Sequence, residues 1–488
     1  MLVSLFTSKI VLKALGIEDY GLYNVVGGIV TIFGFINASM TASTERFFAF
    51  ELGKKNYKQL NKVFNVSLSV HLIMALLLLI LCETFGLWFI NHKLNVSPDR
   101  IEAANIVFQF STLSFLIGVI QVPFNSIVIA YEKMNLFAII GIVEAVLKLT
   151  VTYLLFVSTG DRLVVYSLLL TIVSFINFAV YFVYCKINIK ETNFYIVKEK
   201  KLFKEILSYS GWNLFGNSAV IARNQGRSIL LNLYFGVTLN AAYAITAQVY
   251  SAINVFVSNL MVAFNPQIIK SYSAGNLERS KKLILESSKV SFFVILIISS
   301  PILFNLDYIL NLWLDDVPEF TAIFIRLSII NMLIDSLSYA LMTGAQATGN
   351  IKKYQIVVGI LVFLNLPFYF VFLNIIKVPQ VLFYVSIVIA LFSLSFRIYF
   401  LKKVLSFDVK NYLKEVILRI LFVTTLSYAV IYTINSNVEI DNFLKFSFFS
   451  LLYIGIIIIS VIFLGISRKQ LRIIINYGKS KYTEYKSR

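Results

Sequence analysis

The residues with the clearest chemical potential are ionisable side chains inside apolar stretches. One stretch carries Arg223 and Arg227, four residues apart. Three amides on much the same helical face are Asn213, Asn217 and Asn224. Two permanent cations one turn apart repel each other unless an anion or a carboxylate neutralises their charge. Guanidinium groups bind phosphate through paired hydrogen bonds. The pattern therefore predicts an anion site in a polar cavity, with interhelical packing, or extension of Arg227 to the outer surface, as the alternatives.

Ionisable residues elsewhere in the apolar stretches also indicate function, because charge at membrane depth is costly. Glu144 and Lys148 lie one helical turn apart, where an internal ion pair is the simplest interpretation, although Lys148 could also face a cavity. Asp335 lies inside another stretch and Lys9 inside the first. Either carboxylate, Glu144 or Asp335, could exchange a proton during transport or simply neutralise a nearby arginine.

Membrane-spanning helices must position these side chains. A hydrocarbon core about 30 Å thick requires roughly 20 apolar helical residues. The 488-residue chain is 58% hydrophobic and only 14% charged. It contains about fourteen suitable stretches: 1–15, 21–43, 64–89, 106–130, 137–157, 163–185, 209–233, 238–263, 288–310, 320–344, 354–376, 380–401, 416–435 and 444–466. The sequence therefore predicts an all-α integral membrane protein with about 14 transmembrane helices.

The charge pattern supports this topology. The net charge is +18, and Lys and Arg concentrate in every second loop while the other loops are acidic. Such alternation is typical of cytoplasmic retention of basic loops, and it places both termini in the cytoplasm. No nucleic-acid partner is expected. Because the chain has no phosphate-binding glycine loop, metal-ligand spacing or nucleophile with an evident base, we expect no cofactor, no metal and no enzymatic activity.

An internal repeat divides the chain. Gly16, Gly21 and Tyr23 recur as Gly236, Ala241 and Tyr243, each 220 residues later, and chance is the alternative explanation. The predicted parts are an N-terminal lobe 1–185, a cytoplasmic linker 186–205, a C-terminal lobe 206–401, two extra transmembrane helices 402–466 and a basic cytoplasmic tail 467–488. Two like halves favour alternating access, with a site between the lobes near mid-membrane. By the same offset we expect the first helix to be truncated, through a misplaced start codon or a truncated gene, and the alternative is a genuinely short or tilted first helix.

Three segments resemble a known family. LGIEDYGLYNVVGGIVTIFGFINASMTASTERFFAFELGKKN is similar to the early signature of polysaccharide flippases in the multidrug/oligosaccharidyl-lipid/polysaccharide exporter superfamily. FQFSTLSFLIGVIQVPFNSIVIAYEKMNLFAI and SYSGWNLFGNSAVIARNQGRSILLNLYFG resemble parts of its O-antigen and lipopolysaccharide-biosynthesis branch. The resemblance implies two six-helix lobes around a cationic cavity, two extra C-terminal helices, and transfer of undecaprenyl-diphosphate-linked sugars across the bacterial inner membrane.

The resemblance also implies roles for the candidate residues. Arg223, Arg227 and either Lys148 or Lys9 would hold the diphosphate, and the three amides Asn213, Asn217 and Asn224 would bind sugar hydroxyls. The expected partners are a lipid-linked oligosaccharide, membrane lipid, and a polysaccharide polymerase or glycosyltransferases. The alternative is a multidrug/cation antiporter of the same superfamily, which fourteen helices and cavity cations disfavour. A membrane glycosyltransferase or polymerase is disfavoured by the short outer loops.

Overall fold

In a computed structural model the described residues are 7, 10–11, 13–31, 33–92, 94, 96–195, 197–314, 316–438 and 440–465. They form helices α1 Ile17–Thr31, α2 Gly34–Gly53, α3 Tyr57–Leu81, α4 Leu87–His92, α5 Ile101–Ala130, α6 Met134–Val157, α7 Arg162–Asn188, α8 Lys200–Phe235, α9 Val237–Ser273, α10 Leu277–Phe304, α11 Leu306–Trp313, α12 Thr321–Ala347, α13 Lys352–Phe363, α14 Asn365–Ile376, α15 Val381–Leu405, α16 Val409–Tyr412, α17 Arg419–Asn435 and α18 Phe443–Ser460. Short π-helical turns join α3 to α4 and α16 to α17, and a third follows α18.

The predicted fold class is confirmed: this is an all-α, multi-pass membrane protein. Among the described residues, eleven helical spans are long and apolar enough to cross a membrane. Each of them overlaps one of eleven predicted stretches. Of the other three, 1–15 lies largely outside the described residues, 21–43 is divided between α1 and α2 near Phe33, and 209–233 lies within the 36-residue α8.

Two of the predicted helices are interrupted in the structure. The stretch 288–310 was expected to be one helix, but α10 ends at Phe304 and α11 begins at Leu306. The stretch 354–376 is likewise broken between α13 and α14 at Leu364. The cause of the second break is Pro367, whose ring cannot pack against the carbonyl four residues earlier and which has no N–H to donate there. The break allows Asn365 to begin a new helix inside the membrane.

The chain forms two compact units. Unit 1 comprises Met1–Ser218, Ile269–Asn276 and Gly349–Ile356; unit 2 comprises Ala219–Ile268, Leu277–Thr348 and Val357–Arg488. An apolar core of unit 1 joins α1 to α5 around Val26 and Phe108. In unit 2 a core cluster gathers around Phe324 and Phe383, whose rings stack with centroids 4.6 Å apart. The domain limits predicted from the sequence stay a prediction.

The segment predicted to be a linker is fastened to α3 within unit 1. It contains a short 3-10 turn, Lys190–Thr192, and Asn193 after it has an extended backbone. The Asn65 side-chain amide donates to the Asn193 carbonyl at 2.9 Å, and its oxygen accepts from the Tyr195 N–H at 3.0 Å. Asn61 donates to the same carbonyl at 3.1 Å. These bonds replace the backbone partners that an extended segment otherwise lacks.

The backbone supports the internal repeat. Gly16 and Gly236 have φ of +82° and +83°, and each directly precedes a helix. That left-handed conformation favours glycine, which has no Cβ to clash. A second matched pair has positive φ at Lys55 and Gly275, again 220 residues apart. Helices α3 and α10 then begin at equivalent positions, Tyr57 and Leu277.

Candidate functional site

A small polar pocket in unit 2 contains both predicted arginines. Its volume is about 90 Å³, and it lies where α8, α9 and α12 come together. Its lining is Arg223, Asn224, Arg227, Tyr243, Thr246, Ala247, Tyr250, Ser328 and Asn331. The face of α8 that was predicted to carry an anion site therefore lines a cavity along one helical turn.

Arg223 is paired with one carboxylate. Its Nη1 lies 4.0 Å from Asp335 Oδ2, and the two side chains are 14% and 19% exposed. The Asn331 side-chain amide donates to the same carboxylate oxygen at 2.8 Å. Arg223 Nε donates to Asn224 Oδ1 at 3.4 Å. The ion pair is long, so Asp335 compensates Arg223 without closing a bidentate contact with it.

Arg227 is held by neutral groups. Its Nη2 donates to the Tyr369 hydroxyl at 3.0 Å and, by a shorter bond, to Ser386 Oγ. Its guanidinium carbon lies 4.6 Å from the centroid of the Phe383 ring, and the ring of Tyr243 is also close. Aromatic faces attract a cation but do not cancel its charge. Within the described chain no carboxylate oxygen lies within 4.0 Å of this guanidinium.

The helix break at Leu364 helps to position Arg227. Tyr369 lies on α14 and Ser386 on α15, and their hydroxyls are hydrogen-bonded to each other. Ser386 Oγ also lies 3.3 Å from the side-chain oxygen of Asn365, the first residue of α14. The guanidinium group of Arg227 is therefore part of a buried network of polar side chains. Two guanidinium groups and one carboxylate leave this site with one net positive charge.

A larger cavity lies within unit 1. Its volume is about 450 Å³, and it is lined by Tyr23, Asn24, Gly27, Gly28, Val30, Ser111, Ser114, Phe115, Lys148, Ser167, Leu170, Thr171 and Ser174. Many of its hydroxyls bond within the protein: Thr171 donates to the carbonyl of Phe110 at 2.9 Å, and the oxygens of Ser114 and Ser174 lie 2.6 Å apart. The Lys148 ammonium lies 2.6 Å from Glu144 Oε1, so the predicted internal ion pair is present at the edge of this cavity.

The two cavities occupy equivalent positions of the internal repeat. Four pairs of lining residues are separated by 220: Tyr23 and Tyr243, Gly27 and Ala247, Val30 and Tyr250, Ser111 and Asn331. The same offset relates Phe115, which lines the first cavity, to Asp335, the counter-ion in the second. The two cavities thus share four aligned lining positions but differ in size and in chemistry, the first being rich in hydroxyls and the second being lined by two arginines.

Comparison with known proteins agrees with this architecture. The solved structure named as the outward-facing conformation of a multidrug resistance MATE family transporter of the MOP superfamily is 13% identical, with a TM-score of 0.70. The match covers 83% of this chain and 92% of that one. The fold is that of the MATE transporters.

Further comparisons point the same way. The MatE family model matches residues 1–154. A MATE structure in complex with MaL6 shares the fold at 13% identity and a TM-score of 0.70, covering 83% of this chain and 94% of its own. A MOP superfamily transporter from Pyrococcus furiosus, whose description reports reverse polarity of the binding pocket, matches at 13% identity and a TM-score of 0.69, with 83% and 92% covered. No curated protein sequence matches the chain.

Within this MATE fold, the predicted site residues separate into groups. Arg223, Arg227 and Asn224 lie together in unit 2, close to Asp335. Lys148 and Glu144 lie in unit 1. Lys9 lies outside the described residues.

The residues of the polar stripe predicted along α8 are divided between the two compact units. Asn213 and Asn217 belong to unit 1, where Asn213 Oδ1 accepts from the Gln355 side chain at 2.8 Å and Asn217 donates to Ser39 Oγ at 2.7 Å. Both amides are thus engaged with side chains from distant parts of the sequence. Their contact with a substrate stays a prediction.

Sequence reasoning missed the neutral partners of Arg227. Ser386 and Tyr369 are each one of several polar residues in largely apolar stretches, where such residues are common, so their types carry no signal. Tyr243 and Tyr250 could have been found. The 220-residue repeat marks Tyr243, and Tyr250 lies two turns further along the same helix.

Proposed function

We propose that this protein is a MATE-type secondary transporter that moves an amphiphilic substrate across a membrane by alternating access. The observation that carries the proposal is the pair of equivalent cavities in a MATE fold built from two repeats. Inverted or parallel repeats with polar sites on interrupted helices are typical of secondary transporters. The match of the MatE family model to residues 1–154 supports the same assignment.

The first candidate substrate class is a set of drug-like organic compounds, exported in exchange for a cation. One protein with a similar structure is a multidrug resistance MATE family transporter, and this similarity supports the class. Asp335 and Glu144 are the carboxylates proposed to take up and release the coupling proton. Both lie beside a cation, Arg223 and Lys148 respectively, so protonation would break an ion pair and change the local charge.

The second candidate is a polyprenyl-diphosphate-linked oligosaccharide, flipped across a bacterial inner membrane. The net positive charge of the unit 2 pocket favours it, because a cationic drug would be repelled by Arg223 and Arg227 while a diphosphate would be attracted. The hydroxyl-rich cavity of unit 1 offers acceptors suited to sugar hydroxyls. A polysaccharide polymerase or glycosyltransferases would then be functional partners.

The experiment that separates the two classes uses an efflux-deficient bacterium expressing the protein, with ethidium as the cationic probe. A drug antiporter lowers ethidium accumulation, and replacing Arg223 or Arg227 by Ala leaves that activity intact or increases it. Arg326 is the matched control, because it lies on α12 in unit 2 with an exposed side chain paired to Asp307 at 3.4 Å.

A flippase behaves differently in the same variants. It restores surface polysaccharide in a flippase-deficient strain and leaves ethidium accumulation unchanged. Arg223→Ala and Arg227→Ala abolish that rescue, whereas Arg326→Ala does not. A protein present in the membrane that changes neither ethidium accumulation nor surface polysaccharide would contradict the proposal.

A further inference from the structure

A buried lysine of unit 2 has no counter-ion among the described residues. Lys289 lies on α10 and is 6% exposed. It makes no hydrogen bond with the described part of the chain, and no described carboxylate oxygen lies within 4.0 Å of its ammonium. A cation removed from water is costly unless it is paired. The charge of Lys289 therefore requires an anion that the described chain does not supply.

A second cation lies beside it. Arg419, the first residue of α17, is near enough to Lys289 to interact with it electrostatically. Arg419 Nη2 lies 3.1 and 2.8 Å from the two carboxylate oxygens of Glu415, and its Nε and Nη1 have no hydrogen-bond partner in the described chain. Glu286, also close to Lys289, pairs with Lys282 at 3.7 Å. We call these five residues the inner cluster; three cations and two carboxylates give it one net positive charge.

We propose that the inner cluster binds the phosphate group of an anionic glycerophospholipid from the cytoplasmic leaflet. The Lys289 ammonium would compensate the phosphate charge, and the unoccupied edge of the Arg419 guanidinium would donate to two phosphate oxygens. Guanidinium groups bind phosphate through parallel N–H groups, and basic pockets between transmembrane helices on the cytoplasmic side bind lipid headgroups. No residue of the inner cluster lines the arginine pocket of unit 2, so the inference does not depend on the transported substrate.

Both cations lie at the depth of one leaflet. At a rise of 1.5 Å per residue, Lys289 is about 22 Å from Phe304, where α10 ends, and Arg419 is about 24 Å from Asn435, where α17 ends. In a hydrocarbon core about 30 Å thick, both are then about 6–8 Å inside the opposite boundary, which a long side chain can reach. The loops that precede these two helices are rich in lysine, which indicates that this boundary is the cytoplasmic one.

The neighbouring surface of α17 favours a lipid over a soluble phosphate. Glu415, Arg419, Phe422 and Leu426 follow one face of the helix, at spacings of four, three and four residues. Phe422 and Leu426 are 60% and 45% exposed, and they lie on the side of Arg419 that leads toward the membrane centre. A phospholipid whose phosphate binds at Arg419 would lay an acyl chain along these two side chains. Inorganic phosphate would gain nothing from them.

The first test measures the melting temperature of the full chain in detergent with either phosphatidylglycerol or the zwitterionic phosphatidylcholine added at equal concentration. Phosphatidylglycerol is expected to raise the melting temperature of the parent more than phosphatidylcholine does. Lys289→Met and Arg419→Gln should lose most of this difference, because each removes one contact with the phosphate. Lys445→Met and Arg326→Gln are the matched controls and should keep it, because each removes an exposed cation of unit 2 outside the inner cluster.

The same measurement separates a lipid site from a purely structural lysine. Lys289→Met removes a buried charge without a partner and keeps an apolar stem, so in phosphatidylcholine this variant should melt at or above the temperature of the parent. A fall of equal size in both lipids would overturn the proposal. So would an equal gain from phosphatidylglycerol in the parent and all four variants.

The second test counts bound lipid by native mass spectrometry of the detergent-solubilised chain. The parent should bind one phosphatidylglycerol with a dissociation constant at least about tenfold lower than that of Lys289→Met, since the loss of one hydrogen bond between charged groups changes affinity by about that factor. Equal binding by Lys289→Met and Lys445→Met would contradict the site. Displacement of the lipid by millimolar inorganic phosphate would assign the inner cluster to a soluble phosphate and overturn the lipid. Neither test involves transport, so its result stands whether or not the proposed function does.

Discussion

Replacing Asp335 by Asn tests the electrostatics of the arginine pocket. The amide has nearly the shape of the carboxylate, and its oxygen can still accept the hydrogen bond from Asn331. What is lost is the negative charge 4.0 Å from Arg223. The variant therefore isolates the charge from the packing.

The magnitude follows from the geometry. At this separation a pair of unit charges attracts by about 4 kcal/mol with an effective dielectric constant of about 20. The desolvation of two largely buried charges cancels much of that attraction. We expect a net loss of about 1–2 kcal/mol, seen as a lower apparent melting temperature of the detergent-solubilised protein at a fixed heating rate.

Pyrophosphate should restore what the substitution removes. With Asn at position 335, neither arginine has a carboxylate partner among the described residues, so the anion has no competitor for Arg223. At a concentration about 100 times the dissociation constant, binding contributes about 2.7 kcal/mol. The expected result is a larger thermal stabilisation by pyrophosphate in Asp335→Asn than in the parent protein, where Asp335 competes.

The control is Asp307→Asn, which removes the carboxylate from an exposed Asp–Arg pair of unit 2. Surface pairs contribute about 0–1 kcal/mol, so this variant should melt close to the parent and should gain nothing extra from pyrophosphate. An Asp335→Asn protein that melts with the parent, or that pyrophosphate fails to stabilise, would refute the reasoning.

Three further predictions concern other parts of the molecule. A reporter fused at Lys200 or in the basic tail should report cytoplasm and one near Asp441 the outside; an outside signal at Lys200 would contradict the topology. Burial raises the pKa of the Asp161 carboxyl, but hydrogen bonds from Arg100 and from two backbone N–H groups outweigh it, so its net pKa is lowered. Its contribution to stability is then fully present at neutral pH and is lost progressively as pH falls from the ordinary Asp pKa of 3.8 through the lowered pKa of the folded state, so the melting difference between the parent and Asp161→Asn should shrink over that range; a constant difference would contradict it. Gly236→Ala places a Cβ in a left-handed backbone with open space around it, so it should cost about 1 kcal/mol of strain in a melting assay, and an unchanged melting temperature would argue against that conformation.

Much of the fold could be predicted because each helix that crosses the membrane must be apolar and long enough to span it. Apolar length and the alternation of basic loops located eleven spans that the structure contains. The glycines at 16 and 236 marked equivalent turns, since their left-handed backbone needs glycine. Helix interruptions were missed. The break at Leu364 depends on Pro367, three residues later. Hydropathy alone predicts one continuous helix there, because the stretch is apolar on both sides of the break.

The site was predictable only where one helix carried all its members. Arg223, Asn224 and Arg227 follow one another on α8, so helical periodicity placed them together. Asn213 and Asn217 share that periodicity, yet they contact Gln355 and Ser39. A helix that passes from one compact unit into the other presents the same face to different neighbours, and periodicity along a single helix does not reveal that change.

Transport by the purified protein in proteoliposomes tests the central claim most directly. An imposed proton gradient is applied, and the movement of ethidium and of a fluorescent polyprenyl-diphosphate analogue is followed in parallel vesicles. A MATE-type transporter should move one of the two probes faster than protein-free vesicles do. If that probe is the polyprenyl-diphosphate analogue, its movement should depend on the two arginines of the unit 2 pocket. Movement of neither probe by folded protein would contradict the assignment.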